Sequence, residues 1–302
     1  MNWVGFPGLG IDRIEFYPYI SVFGFPIYWY GIIIAVGMAL AMVYGFRRAE
    51  RFGIESERMT DVVLFGLIGG VVGARLYYVI FSWDLFRDDI WSIFDLRTGG
   101  LAIYGGIIGA VLVGGIACRI RKVPLLPMLD LAGIGFLIGQ GIGRWGNFVN
   151  VEAFGGHTDL PWGMIGNKIP DSIAPVHPTF LYESLWCLLG FLLLSIYAKR
   201  RKFDGEVFLL YLAWYGFERF FVEGIRADSL WLLPGVIRVS QLLAAILFVS
   251  SLAVFLFMRC YWMKKHPNRG YLFVQTADWQ KVLTEKEKRK REGGKQNVSH
   301  SD

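Results

Sequence analysis

Seven stretches of this chain are apolar and long enough to cross a bilayer, and that closes off most folds. A helix needs roughly 17–25 residues to span about 30 Å of hydrocarbon. The runs lie near 27–46, 60–82, 100–119, 125–143, 178–198, 206–222 and 236–258. The fourth and sixth also carry ionisable residues. Hydrophobic residues make up 54% of the chain before its 37 glycines are counted, against about 45–50% with glycine included in soluble domains. Small residues let membrane helices approach closely. The sequence is therefore read as an all-α polytopic membrane protein with seven transmembrane helices.

The basic residues give that bundle a direction. Arg47, Arg48, Arg51 and Arg58 follow the first span, and Arg119, Arg121 and Lys122 the third. Lys199, Arg200, Arg201 and Lys202 follow the fifth, and Arg259, Lys264 and Lys265 the seventh. Loops rich in Lys and Arg stay cytoplasmic, so these four lie inside. The alternate loop 83–99 sets Arg87 and Arg97 against Asp84, Asp88, Asp89 and Asp95. The amino terminus is then expected outside and the carboxyl terminus inside. No signal-peptide pattern precedes the first span, which serves as its own insertion signal.

This assigns residues 1–260 to a seven-helix membrane catalytic domain with an outer-face loop at 145–176. Residues 261–302 form a basic, partly disordered cytoplasmic tail. The net charge of +6 sits in short loops and the tail, on no basic face of a soluble domain, which argues against nucleic acid as a partner. Cys118, Cys187 and Cys260 lie in or beside apolar runs without metal-ligand spacing, and read as small apolar residues.

Three polar constellations interrupt the apolar pattern. The first is Gly143-Arg144-Trp145-Gly146-Asn147-Phe148-Val149-Asn150-Val151-Glu152, at the mouth of the fourth span. An ionised group at bilayer depth costs roughly 2.5–3.5 kcal/mol on insertion scales. An arginine among asparagine donors suits an anion, and the abundant membrane anion is a lipid phosphate. The same residues would also suit a polar helix cap.

The second is His177-Pro178-Thr179 with Tyr182-Glu183, where Pro178 fits a first helical turn. Glu183 then lies one to two turns in, where a carboxylate needs a cation or a proton. The third places Arg219, Glu223 and Arg226 at i, i+4 and i+7 along one face. Tyr30, Arg75, Asp130 and the glycine-flanked Tyr104 add polar groups on further spans. By the topology above, Arg144, His177, Arg226 and Tyr104 come from four spans yet reach one outer level.

These motifs resemble the prolipoprotein diacylglyceryl transferases of bacterial membranes. The likeness rests on Gly143–Glu152 with Phe154-Gly155, on His177-Pro178-Thr179 with Leu181-Tyr182-Glu183, and on Tyr215-Gly216 with Arg219, Phe220, Glu223 and Arg226. Trp29-Tyr30-Gly31, Arg75 and Asp130 extend it across about residues 20–260. The resemblance implies transfer of the sn-1,2-diacylglyceryl group from phosphatidylglycerol to the lipobox cysteine thiol of a preprolipoprotein, releasing glycerol phosphate. It implies no metal and no cofactor, and a place in the bacterial cytoplasmic membrane.

Carried over residue by residue, it implies catalytic roles among Arg144, Arg226, Tyr104, Glu152, His177 and Glu183. Substrate binding falls to Tyr30, Arg75, Asn147, Asn150, Tyr182, Arg219 and Glu223. Many members have His where this chain has Tyr104, and a phenol near pKa 10 is a poor base at neutral pH. Glu152, Glu183 and His177 stay open as the base, as does a reaction without one. The competing reading from another class is a membrane transporter of an anionic substrate, against which no inverted repeat is visible.

Overall fold

A computed structural model describes residues 1–95, 99–170, 174–226, 231–233, 237–267 and 271–298. Arg97 of the acidic loop lies outside them. The chain divides into two compact units, Met1–Gly45 with Asp130–Tyr271 and Phe46–Leu129 with Leu272–Asp302.

Seven long helices occupy the seven apolar runs: α1 Trp29–Arg48, α2 Ser56–Phe81, α3 Ile103–Ile120, α4 Leu125–Asn150, α5 Thr179–Tyr197, α6 Glu206–Ile225 and α7 Val239–Phe257. Among the described residues six helical stretches, all but that of α6, are long and apolar enough to cross a membrane. The 20-residue α6 falls outside that group because it carries Glu206, Glu218, Arg219 and Glu223. The fourth helix differs from its expected bounds, running past residue 143 to Asn150. Its polar residues are therefore helical rather than part of the following loop.

In the first unit, the carboxyl end of α4 meets a small sheet. Strands β1 (Asn2–Phe6), β2 (Ile11–Phe16) and β5 (Ile165–Gly166) pair antiparallel in the order β2-β1-β5. A hairpin of β3 (Tyr19–Val22) and β4 (Phe25–Tyr28) leads straight into α1. Val4, Val151, Met164, Ile169, Val176 and Phe180 form the core beneath the three-stranded sheet.

At the opposite end of α4, fully buried Asp130 accepts from the backbone N–H groups of Gly205 at 2.9 Å and Phe208 at 2.8 Å. This satisfies two of the orphan donors that begin α6. Glu206 beside it, also fully buried, accepts from Tyr197 Oη at 2.6 Å and pairs with Arg259 at 2.6 Å. Helices α5 and α6 are joined by a reciprocal pair of indoles. Trp186 Nε1 donates to the Trp214 carbonyl at 3.2 Å and Trp214 Nε1 to the Trp186 carbonyl at 3.1 Å. The rings stack 4.2 Å apart.

In the second unit α2 and α3 approach backbone to backbone along small residues. A Cβ on Gly109 would lie 2.1 Å from the Gly69 carbonyl oxygen, and one on Gly73 would lie 2.4 Å from that of Gly105. Asp61 and Arg121 pair near one end of these helices. The tail is structured over its described part. Helix α8 (Ala277–Val298) buries Trp279, and its Lys286 pairs with Glu50.

Because nothing but absent side chains allows the α2–α3 approach, Gly109→Leu is expected to lower the stability of the detergent-solubilised protein by about 1–3 kcal/mol. Gly115→Leu, whose Cβ would meet nothing within 4 Å, is the control. Thermal unfolding monitored by tryptophan fluorescence compares the two.

Candidate headgroup site

The signature forms the last two turns of α4, and each of its glycines admits a neighbour. A Cβ on Gly146 would meet the Tyr30 ring at 2.6 Å, so this aromatic side chain packs directly against the helix. A Cβ on Gly155 would meet the Cβ of His177 at 2.7 Å. There the backbones pair, Gly155 N donating to the His177 carbonyl at 2.9 Å and His177 N to that of Gly156 at 3.0 Å.

Glu183, one turn into α5 and only 1% exposed, is the hub of the charged groups. Its Oε2 pairs with Arg144 Nη2 and lies 3.8 Å from Arg219 Nη1. Arg219 turns its Nη2 to Glu223 at 2.5 Å, one turn further along α6. Two guanidiniums thus share two carboxylates across α4, α5 and α6. Arg144 approaches Glu183 through Nη2, and among the described residues no hydrogen bond joins its Nε or Nη1 to the protein. Glu218, 7% exposed, lies within electrostatic reach of Glu183, Arg144 and Arg219.

Helix α4 ends in a conformation that its sequence does not favour. Val151 has φ +52° and Ala153 φ +56°, left-handed values that are a genuine outlier for a β-branched residue. Burial holds Val151 there, at 1% exposure in the core beneath β1 and β5. Between these two residues the chain lifts Glu152 off the helix axis. Its Oε1 accepts from Asn147 Nδ2 at 3.0 Å and Asn150 Nδ2 at 3.2 Å. Both asparagines of the signature therefore orient a carboxylate in this structure. Lys168 closes the same turn by donating to the Asn150 carbonyl at 2.8 Å.

Around His177 the side chains form a short hydrogen-bonded chain. Trp162 Nε1 donates to Tyr182 Oη at 2.8 Å, which lies 3.2 Å from His177 Nδ1. Arg226 sits just past α6, and its backbone bridges to Gly155.

Arg144, Asn147, Asn150, Glu152, His177, Tyr182, Glu183, Arg219, Glu223, Arg226 and Tyr30 all fall in the first unit. Tyr104 and Arg75 belong to the second, Tyr104 as the second residue of α3 and 46% exposed, Arg75 buried within α2. Among the described residues no group of three or more His, Cys, Asp or Glu could hold a metal ion. Sequence reasoning passed over Lys168 and Val151. Lys168 could have been noticed as the lone Lys or Arg between residues 145 and 176, whereas no sequence signal marks a left-handed valine.

With this geometry in place, comparison with known proteins is decisive. The family model for prolipoprotein diacylglyceryl transferase matches residues 18–257. The chain belongs to that family. It is 39% identical over 258 residues to the phosphatidylglycerol–prolipoprotein diacylglyceryl transferase of Clostridioides difficile, covering 85% of this chain and 98% of that protein. The enzymes of the same name from Finegoldia magna and Enterococcus faecalis are 43% and 44% identical, over 80% and 82% of this chain and 93% and 90% of theirs. Family membership and the six apolar helices together make this a multi-pass membrane protein of the prolipoprotein diacylglyceryl transferase family.

Removing a buried carboxylate that serves two guanidiniums leaves both charges uncompensated. Glu183→Ala is expected to cost about 3–5 kcal/mol. Glu183→Gln, which keeps the shape and one acceptor, should cost less. Apparent melting temperatures in detergent read the difference.

Proposed function

We propose that this protein transfers the sn-1,2-diacylglyceryl group of phosphatidylglycerol to the lipobox cysteine of preprolipoproteins, in the bacterial cytoplasmic membrane. The carrying observation is the family signature wound into the end of α4, with Arg144 paired to Glu183 and two N–H-bearing nitrogens spare. The spans number seven, α6 included, with the amino terminus outside and the carboxyl terminus inside. Residues 1–260 form the catalytic domain, with the segment 145–176, whose first six residues end α4, outside, and 261–302 a cytoplasmic tail.

α6 can lie at bilayer depth because three of its four ionisable residues pair within the protein. Glu206 pairs with Arg259, and Glu223 with Arg219. Ionisable residues inside membranes are tolerated when they face the bundle interior and pair there.

In the reaction, the substrate sulfur attacks the glyceryl carbon bonded to the phosphate oxygen. The C–S bond forms, the C–O bond breaks, and its electron pair leaves on glycerol phosphate. Negative charge therefore grows on the phosphate, and fixed cations in a site that excludes water stabilise it. Arg144 presents Nε and Nη1, and Arg226 supplies the second cation. Arg219 stays beside Glu183 and Glu223 when the headgroup draws on Arg144.

The thiol proton goes to Glu152. Both asparagines hold its Oε1, while Oε2 is unengaged among the described residues and the side chain is exposed. Asn147 and Asn150 thus act on the base as well as on the lipid. His177, aligned through Tyr182, donates from Nε2 to the headgroup, and Tyr30 walls the site beside Gly146. Tyr104 orients substrate rather than taking its proton.

Purified protein supplied with phosphatidylglycerol and a lipobox peptide should yield the diacylglyceryl thioether, detected by mass spectrometry. No product from folded protein would remove the proposal. Arg144→Lys should lose about 100-fold in turnover, since a point charge cannot replace a planar fork on phosphate. Glu152→Gln should lose roughly 10²–10⁴-fold while phosphatidylglycerol binding persists. Single cysteines at residues 23 and 264, in a background without Cys118, Cys187 and Cys260, test the topology. An impermeant maleimide added to intact cells should label position 23 and spare position 264.

A further inference from the structure

Arg75 is a buried arginine on α2, 7% exposed, and it spends every hydrogen-bond donor on main-chain carbonyls. Its Nε donates to Ile93 O at 2.7 Å. Nη1 donates to Gly99 O at 2.7 Å and Gly100 O at 3.1 Å, and Nη2 to Ser92 O at 2.8 Å and Asp95 O at 2.9 Å. A guanidinium has five N–H groups, so none is left for a lipid phosphate.

The carbonyls lie on both sides of residues 96–98, and Phe86 packs over the cation with its centroid 5.2 Å from Cζ. The glycine pair is shaped to this seat. Gly99 and Gly100 have φ +85° and +76°, and a Cβ on Gly100 would fall 2.6 Å from both Arg75 Nη1 and the Tyr78 ring. One residue before Arg75, the Ala74 carbonyl accepts from Ala102 N at 3.1 Å. Tyr104 follows two residues later, in the first turn of α3.

We propose that Arg75 is a positioning residue. It gathers the main chain of Ser92–Asp95 and Gly99–Gly100 onto α2, and so fixes where α3 begins and where Tyr104 points. This replaces the substrate-binding role that family resemblance suggests for Arg75, and it rests on the reading of Tyr104 as a residue that orients substrate. Lysine cannot substitute, because three donors on one nitrogen do not reach five carbonyls set around a plane.

The test uses the full-length protein in detergent, with Arg75→Lys and Gly100→Ala. The second variant keeps the cation but fills its seat. Hydrogen exchange read by mass spectrometry should quicken about tenfold or more at the amides of Asp95 and Ala102 in both variants. Turnover should fall, by roughly 100-fold if the misplacement approaches 1 Å. The Arg75→Lys/Tyr104→Ala double variant should be no slower than Tyr104→Ala alone, because one residue acts through the other. Unchanged exchange in both variants, or losses that multiply in the double variant, would overturn the proposal. A fully active Tyr104→Ala would instead sink the role given to Tyr104, with the exchange result still deciding what Arg75 does.

Discussion

A carboxylate and two guanidiniums brought together away from water must neutralise one another, and the first unit is arranged around that requirement. Glu183, at 1% exposure, has almost no water to solvate a charge, so cations must stand beside it. Arg144 and Arg219 come to it from α4 and α6, which fixes how these helices register against α5. The same pairing sets the chemistry. An anionic headgroup does not enter an empty positive pocket. In the proposed function it takes the Nε and Nη1 donors of an Arg144 that Glu183 already holds through Nη2, while Arg219 braces the same carboxylate. In that reading no cation of the site is left wholly without a carboxylate, which suits a product, glycerol phosphate, that has to leave.

Beyond this hub, the protein places rigid features where reacting groups need direction. Two left-handed residues bracket Glu152 and two carboxamides hold one of its oxygens. The strain of a left-handed valine, of order 1–2 kcal/mol, is offset by burying its side chain beneath the small sheet. Strands remote from the ion cluster thereby hold the turn that presents the carboxylate. Arg75 serves the other unit in a comparable way, with main-chain carbonyls in place of a hydrophobic core.

Much of the helical framework was legible as hydrophobic runs, because lipid demands unbroken apolar length. Helix α4 shows where that signal stops. Its apolar pattern ends before Arg144, so hydropathy alone closes the helix there, yet the winding continues to Asn150. Glu183 and Ser184 supply partners for Arg144 and Trp145, and such partners are tertiary facts that no local window contains. The candidate residues themselves were legible because charge in an apolar context is costly and therefore conspicuous. Their allegiances were not. Asn147 and Asn150 look like phosphate donors in sequence and are found holding Glu152. Arg75 looks like a ligand for lipid and is found holding main chain. Residue type announces which groups matter, and only geometry says to whom they bind.

The crossed indoles of Trp186 and Trp214 have a spectroscopic consequence. Two chromophores stacked 4.2 Å apart at an interplanar angle of 19° share their excited states. They should imprint a split signal on the ultraviolet circular dichroism that neither ring would show alone. The amplitude of that couplet depends on α5 and α6 staying in register, and α5 carries Glu183 while α6 carries Arg219. The chain thus contains its own optical gauge of the helix pair that holds the charged hub, readable in the purified protein without a label.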